Sequence, residues 1–110
     1  MHLNVYGKKL IQKPWIILYR RLKRYCNNPE SFLFFEYGAK GIKFEFTSSI
    51  EIKHIWDRDG AANMSEPCFC RKNDKGNFNL KNCYFAEWID EIIKIARRAK
   101  EKGVNLNGND

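Results

Sequence analysis

Cys68-Phe69-Cys70-Arg71-Lys72-Asn73-Asp74-Lys75-Gly76-Asn77-Phe78-Asn79-Leu80-Lys81-Asn82, continued by Cys83-Tyr84-Phe85-Ala86, decides the reading of the fold. Residues 69–72 and 78–80 predict two short strands, and Asn73-Asp74-Lys75-Gly76 between them is a glycine-bearing hairpin turn. The hairpin leads straight into the strongest helical pattern of the chain. Phe85, Trp88, Ile89, Ile92, Ile95, Ala96 and Ala99 hold a 3.6-residue period to about Lys102, and Gly103 stops it. Lys94, Arg97, Arg98 and Lys100 lie toward the C-terminal end, where cations suit the helix dipole.

Upstream, Pro14 can open a helix at its first turn, where its missing N–H costs nothing. Trp15, Leu18, Tyr19, Leu22 and Cys26 then recur at helical spacing, interleaved with the basic cluster Arg20, Arg21, Lys23 and Arg24. Asn27-Asn28-Pro29 ends that helix. Residues 31–37 are mostly apolar and read as a second short helix or a buried extended run. Residues 38–41 form a turn, and residues 42–46 alternate as a half-buried strand does. Ser48 with Glu51 three positions on fits a capping box, ahead of Ile52, Ile55 and Trp56 on one face. Asp59-Gly60 closes this helix, and residues 61–67 read as a linker. Residues 1–13 form an N-terminal arm, loop or short edge strand, and residues 103–110 a polar tail expected to be disordered. The expectation is a small single α+β domain with its folded core at residues 14–102.

A chain of 110 residues supports one modest core, and eight phenylalanines allow it to be built from rings. The net charge of +7 favours a polyanionic partner, nucleic acid before anionic membrane. No apolar run reaches the roughly 20 residues of a membrane-spanning helix, so the expected location is the cytoplasm. In that reducing compartment Cys26, Cys68, Cys70 and Cys83 are free thiols or metal ligands rather than disulfides.

Three stretches in order resemble the small phage and mobile-element branch of the HNH endonucleases. That branch carries Asp-Arg-Ile-Asp, two variable residues, Gly-Asn-Tyr, three variable residues and Asn-Cys-Arg-Trp. Gly76-Asn77-Phe78 and Asn82-Cys83-Tyr84-Phe85 fall on those positions without a gap. Residues 22–29, Leu-Lys-Arg-Tyr-Cys-Asn-Asn-Pro, resemble its Met-Lys-x-Arg-Cys-x-Asn-Pro element. Residues 37–42, Tyr-Gly-Ala-Lys-Gly-Ile, resemble its Tyr-Gly-Gly-Arg-Gly-Ile. The resemblance implies helices packed around a ββα-metal unit. It places the first catalytic acid at Cys70, the second at Asn73, the branch's arginine at Arg71, its hairpin-orienting asparagine at Asn82, and a helix ligand near Glu91 beside Asp90. Mg²⁺ takes oxygen ligands and cysteine offers soft sulfur, so the motif positions Cys70, Arg71, Asn82 and Glu91 are expected to be inactive. His54, Asp57 and Asp59 are the remaining candidates, but they lie on the preceding helix or its end, outside the matched motif.

Other sites have two readings each. Cys68 and Cys70 share a strand face. Pairing across the turn would bring Cys83 near Cys68, and with His54 or Cys26 as fourth ligand the set could hold a structural zinc; buried free thiols are the plainer reading. Arg20, Arg21, Lys23, Arg24, Arg71, Arg97 and Arg98 could track a phosphate backbone, or be solvated helix faces. The aromatics of residues 32–37 could stack on bases, but core is the favoured reading.

Three functions compete. The first is nucleic-acid binding, duplex DNA above all, on an HNH frame without efficient cleavage. The second is a phage inhibitor of a host defence enzyme, such as a CRISPR or restriction nuclease. The third is an active endonuclease with a divalent metal held by other ligands.

Overall fold

A computed structural model describes residues 13–101, together with the backbone of residues 3 and 4. The expected tail and most of the arm lie outside the described residues. Among the described residues, three α-helices and a three-stranded antiparallel sheet make a small mixed α+β fold.

Helix α1, Pro14–Asn27, starts on its proline and buries Leu18, Leu22, Tyr25 and Cys26. Its basic residues Arg20, Arg21, Lys23 and Arg24 stay on the exposed side. Helix α2, Ser49–Arg58, begins as its capping pattern predicts. Ser48 Oγ accepts from the Ile50 N–H at 3.2 Å. Glu51 reaches one residue further back than a standard box, and its Oε1 accepts from the Thr47 N–H at 2.6 Å and the Thr47 hydroxyl at 2.8 Å. Ile52 and Ile55 are fully buried. Rings join the layers into one core: Trp15 meets Trp56 at 5.8 Å, Trp56 meets Phe85 at 5.1 Å, and Phe85 meets Phe69 at 4.8 Å.

The alternating run at residues 42–46 keeps its alternation of burial but joins no sheet; Phe44 makes one parallel bridge to Phe78. Residues 31–37 form neither a regular helix nor a buried run. A short 3₁₀ turn, Phe34–Glu36, buries Leu33 and Tyr37 and leaves Phe32 and Phe35 exposed, which corrects the expectation of core for those two rings. The glycine after Tyr37 has a steric cause: a Cβ at Gly38 would run into the Phe34 ring and the Cys26 carbonyl.

The hairpin differs from its sequence reading in one strand. β2, Pro67–Arg71, pairs with β3, Cys83–Glu87, in the register Cys68↔Ala86, Phe69↔Phe85, Cys70↔Tyr84 and Arg71↔Cys83. Leu3–Asn4, the short β1, pairs on the other edge of β2. Residues 78–80 are therefore loop, and β3 occupies what the helical period had claimed as the start of the last helix. The cause lies in the loop. Asn73 and Asp74 both take left-handed backbone, with φ of 54° and 55°, and the chain swings away before it can form a tight hairpin. It returns only at Asn82, whose carbonyl accepts from the Lys72 N–H at 2.9 Å. In between, Phe78 exchanges hydrogen bonds with Lys43 and Glu45.

Helix α3, Trp88–Glu101, follows β3 without a break. The Trp88 N–H donates to the Glu66 carbonyl, and Glu87 accepts from the Ser65 and Glu66 N–H groups. These bonds fix the strand-to-helix corner.

Candidate nucleic-acid interface

Side chains alternate across β2 and β3, so their pairing sorts the candidate residues onto two faces. Phe69, Phe85, Cys83 and Arg71 share the face toward the main core, where Phe69, Phe85 and Cys83 join the apolar cluster. Cys68, Cys70, Tyr84 and Ala86 share the opposite face, which meets Glu91 of α3 through Tyr84.

On the core face Arg71 is an anchor. It is 8% exposed. Its Nη1 donates to the Gly76 carbonyl at 2.7 Å, its Nη2 pairs with Asp74 at 3.3 Å, and its guanidinium lies 5.1 Å from the Phe78 ring. Arg71 was expected both at the catalytic motif and on a phosphate backbone; here its Nη1 and Nη2 are engaged by the loop. Asn82 is the second anchor. Its Nδ2 donates to the carbonyls of Lys75 at 2.6 Å and Asn77 at 3.0 Å. Gly76 has φ of 80°, and a Cβ there would stand 2.8 Å from Asn82 Nδ2. Arg71, Gly76 and Asn82 thus hold the loop in one shape.

On the opposite face Glu91, the helix ligand expected from the sequence, does meet Cys70. The carboxylate is 1% exposed. Its Oε1 accepts from the Tyr84 hydroxyl at 2.7 Å, and its Oε2, which has no well-aligned hydrogen-bond donor, lies 3.0 Å from Lys94 Nζ in an ion pair. Burial alone would raise its pKa, but the Tyr84 hydroxyl and the Lys94 ammonium outweigh burial and hold it below the usual carboxylate range. Burial and the bond to Glu91 push the Tyr84 hydroxyl up. Cys68 and Cys70 touch, with Sγ atoms 3.4 Å apart. That contact draws Cys68 down and, with burial, raises Cys70.

This donor set does not fit Mg²⁺. One carboxylate, already held by a hydroxyl and an ammonium, stands beside two sulfurs, whereas the cation wants several free oxygens. The oxygen donors further off are committed as well. Asp59 holds the outer edge of β3, accepting from the Phe85 N–H at 2.8 Å, and Asp57 pairs with Lys53 at 2.7 Å. The zinc set is likewise not assembled. Cys83 pairs with Arg71 on the core face, away from Cys68 and Cys70, and His54 is exposed on α2. No group of three or more metal-ligating side chains is gathered among the described residues.

A basic cleft adjoins this cluster. It has a volume of about 250 Å³ and is lined by Asn73 from the hairpin loop and Lys94, Arg97 and Arg98 from α3. Arg97 and Arg98 were expected on a phosphate-binding surface and are here brought together; Arg20, Arg21, Lys23 and Arg24 do not line the cleft. Tyr84 and Lys94 are the site residues that the sequence reading missed. Tyr84 could be found only from the strand parity, which sets it opposite Cys70. Lys94 follows from Glu91 by the i, i+3 spacing of a helix.

Comparison with protein-family models, with curated proteins and with solved structures finds no match to this chain. No helix among the described residues is long and apolar enough to cross a membrane.

Proposed function

We propose that this chain binds nucleic acid, duplex DNA foremost, on an HNH-type frame whose cation-holding groups have been replaced. The cleft between the hairpin loop and α3 carries the proposal. Three cations from one helix face and an amide from the loop meet at a concave surface, the arrangement that positions a phosphate backbone. The replacement of the acids supports binding over cutting. Glu91 has its charge balanced by Lys94, and Cys70 and Asn73 stand where the resemblance puts acids. Arg and Lys on a helix bind phosphate without regard to base sequence, so the binding is expected to be non-specific in sequence and strongly dependent on salt.

Titration of a short labelled duplex at several salt concentrations tests this. Each neutralised phosphate contributes a slope of about −0.9 to log K against log salt. Replacing Lys94, Arg97 and Arg98 together with alanine should flatten that slope by roughly 2 to 3. No binding at low salt, or an unchanged slope in the triple variant, overturns the reading. A parallel plasmid-nicking assay with Mg²⁺ or Mn²⁺ should show no cutting; nicking that disappears in Glu91→Ala would restore the nuclease reading.

A further inference from the structure

Helix α3 packs by the wrong edge for its sequence. Its most apolar side should be its buried side, yet Glu91 is the one residue of α3 that is buried. Ile89, Ile92 and Ile93 are 61%, 38% and 44% exposed, and Ala96 is exposed beside them. At 100° per residue, Ile89, Ile92, Ala96 and Ala99 form one stripe, centred well over 90° around the helix from the edge that carries Glu91 and Arg98 toward the sheet. The cleft cations lie on the far side from the stripe. The helix therefore has a cationic side toward the cleft and an apolar side that is exposed at Ile89, Ile92 and Ala96 and half-buried at Ala99.

The stripe's composition says what fits it. Ile89, Ile92, Ala96 and Ala99 occupy successive a and d positions of two heptads, large in the first and small in the second. Against a parallel copy, isoleucine would meet isoleucine and alanine alanine, leaving one end crowded and the other open. Against an antiparallel copy centred near residue 94, Ile89 faces Ala99 and Ile92 faces Ala96, so that all four layers join one large and one small side chain. Antiparallel pairing also opposes the two helix dipoles. We propose that the Ile89, Ile92, Ala96 and Ala99 stripe of α3 is the contact surface for a second copy of this chain, the two helices running antiparallel about a twofold axis near residue 94. The two basic clefts then face outward from the pair, and binding of nucleic acid by one does not block the other.

The surface is small. Two heptads bury less than the roughly 1,200 Å² of a standard interface, which points to a dissociation constant on the order of 10–100 µM. Sedimentation equilibrium across that concentration range should show the mass rising toward twice the 13.1 kDa of one chain. Ile89→Lys, at an exposed position, should keep the circular dichroism of the parent and remain monomeric. Orientation is read separately with a short bismaleimide. Ile93→Cys lies next to the axis and should cross-link to its own copy. Ile89→Cys lies about 15 Å along the helix from its counterpart and should not. A wild-type chain monomeric at several hundred micromolar overturns the proposal, as does efficient cross-linking of Ile89→Cys, which would mean parallel pairing. A monomer that sediments with anionic vesicles would assign the stripe to a bilayer and overturns it equally.

Discussion

Replacing Arg71 by methionine separates a buried anchor from a phosphate contact. Methionine keeps much of the stem and its packing while removing the charge and every donor. The bond from the guanidinium to the Gly76 carbonyl is charge-assisted, a type of contact that contributes about 1.5–3 kcal/mol. The pair with Asp74 adds little, because that carboxylate is 43% exposed and such pairs contribute about 0–1 kcal/mol. The guanidinium over the Phe78 ring adds about 0.5–1 kcal/mol. Together these set the expected loss near 3 kcal/mol. In urea, with a slope of roughly 1–3 kcal/mol per molar, the midpoint should fall by about 1–3 M. Arg97→Met is the control. At an exposed helix position it should stay within about 0.5 kcal/mol of the parent while weakening DNA binding. If Arg71→Met unfolds within about 0.5 kcal/mol of the parent and loses DNA affinity as Arg97→Met does, the guanidinium faces phosphate and the anchor argument is wrong.

Two further outcomes follow from the titrating groups. The bonds from the Thr47 N–H and hydroxyl hold the Glu51 carboxyl below its ordinary 4.5, so its contribution to stability is fully present above that value and fades as pH falls through the lowered one. Glu51→Gln should therefore cost about 0.5–1 kcal/mol at pH 7 and progressively less in urea melts taken below pH 4.5; an equal cost at pH 3 would contradict the cap. Burial pushes Cys26 from 9.0 to about 11 and Cys83 to about 12, so at pH 8 their thiolate populations are reduced roughly hundredfold and thousandfold. Labelling of these two with an aromatic disulfide should track unfolding, and stability should decline as pH rises above 9. Rapid labelling of either cysteine in the native protein would refute their burial.

Local features were legible and pairing was not. Pro14, the spacing of Leu18, Leu22 and Cys26, and the Ser48 cap each act within a few residues, and α1 and α2 form where those signals put them. Strand β3 escaped because Phe85, Trp88, Ile89 and Ile92 share a helical period that runs straight across the strand-to-helix corner at Glu87. What makes residues 83–87 a strand is the partner β2, together with Asp59 on the outer edge, and neither is visible in the local pattern. The error carried into the site. With residues 78–80 as the second strand, Cys83 falls beside Cys68. With residues 83–87 it falls on the other face, and Tyr84 takes the place next to Cys70. The ungapped match set Glu91 against Cys70, and the two do lie together, because such a match needs no knowledge of pairing. The direction of α3 was also hidden, since periodicity shows that a helix has an apolar face but not that the face meets the core.

On the proposed kinship, the two faces of the hairpin would let such a frame change its chemistry without losing its shape. The groups that hold the loop, Arg71, Gly76 and Asn82, act from the core face or from the loop itself. The groups that would handle a cation act from the other face, at Cys70 and Glu91. Substitution on one face leaves the anchors of the other untouched. On the proposed kinship, loss of the first acid at Cys70 removes a negative charge next to Glu91, and Lys94 supplies to the remaining carboxylate the counter-charge that a divalent cation would otherwise provide. The ammonium stands in the cleft wall it shares with Arg97 and Arg98, so on that proposal the same change would bring a cation to the proposed phosphate-binding surface. Reversal would then need more than one residue: Cys70→Asp alone would set two buried carboxylates side by side with one lysine between them, and should destabilise the fold before it restores a metal site.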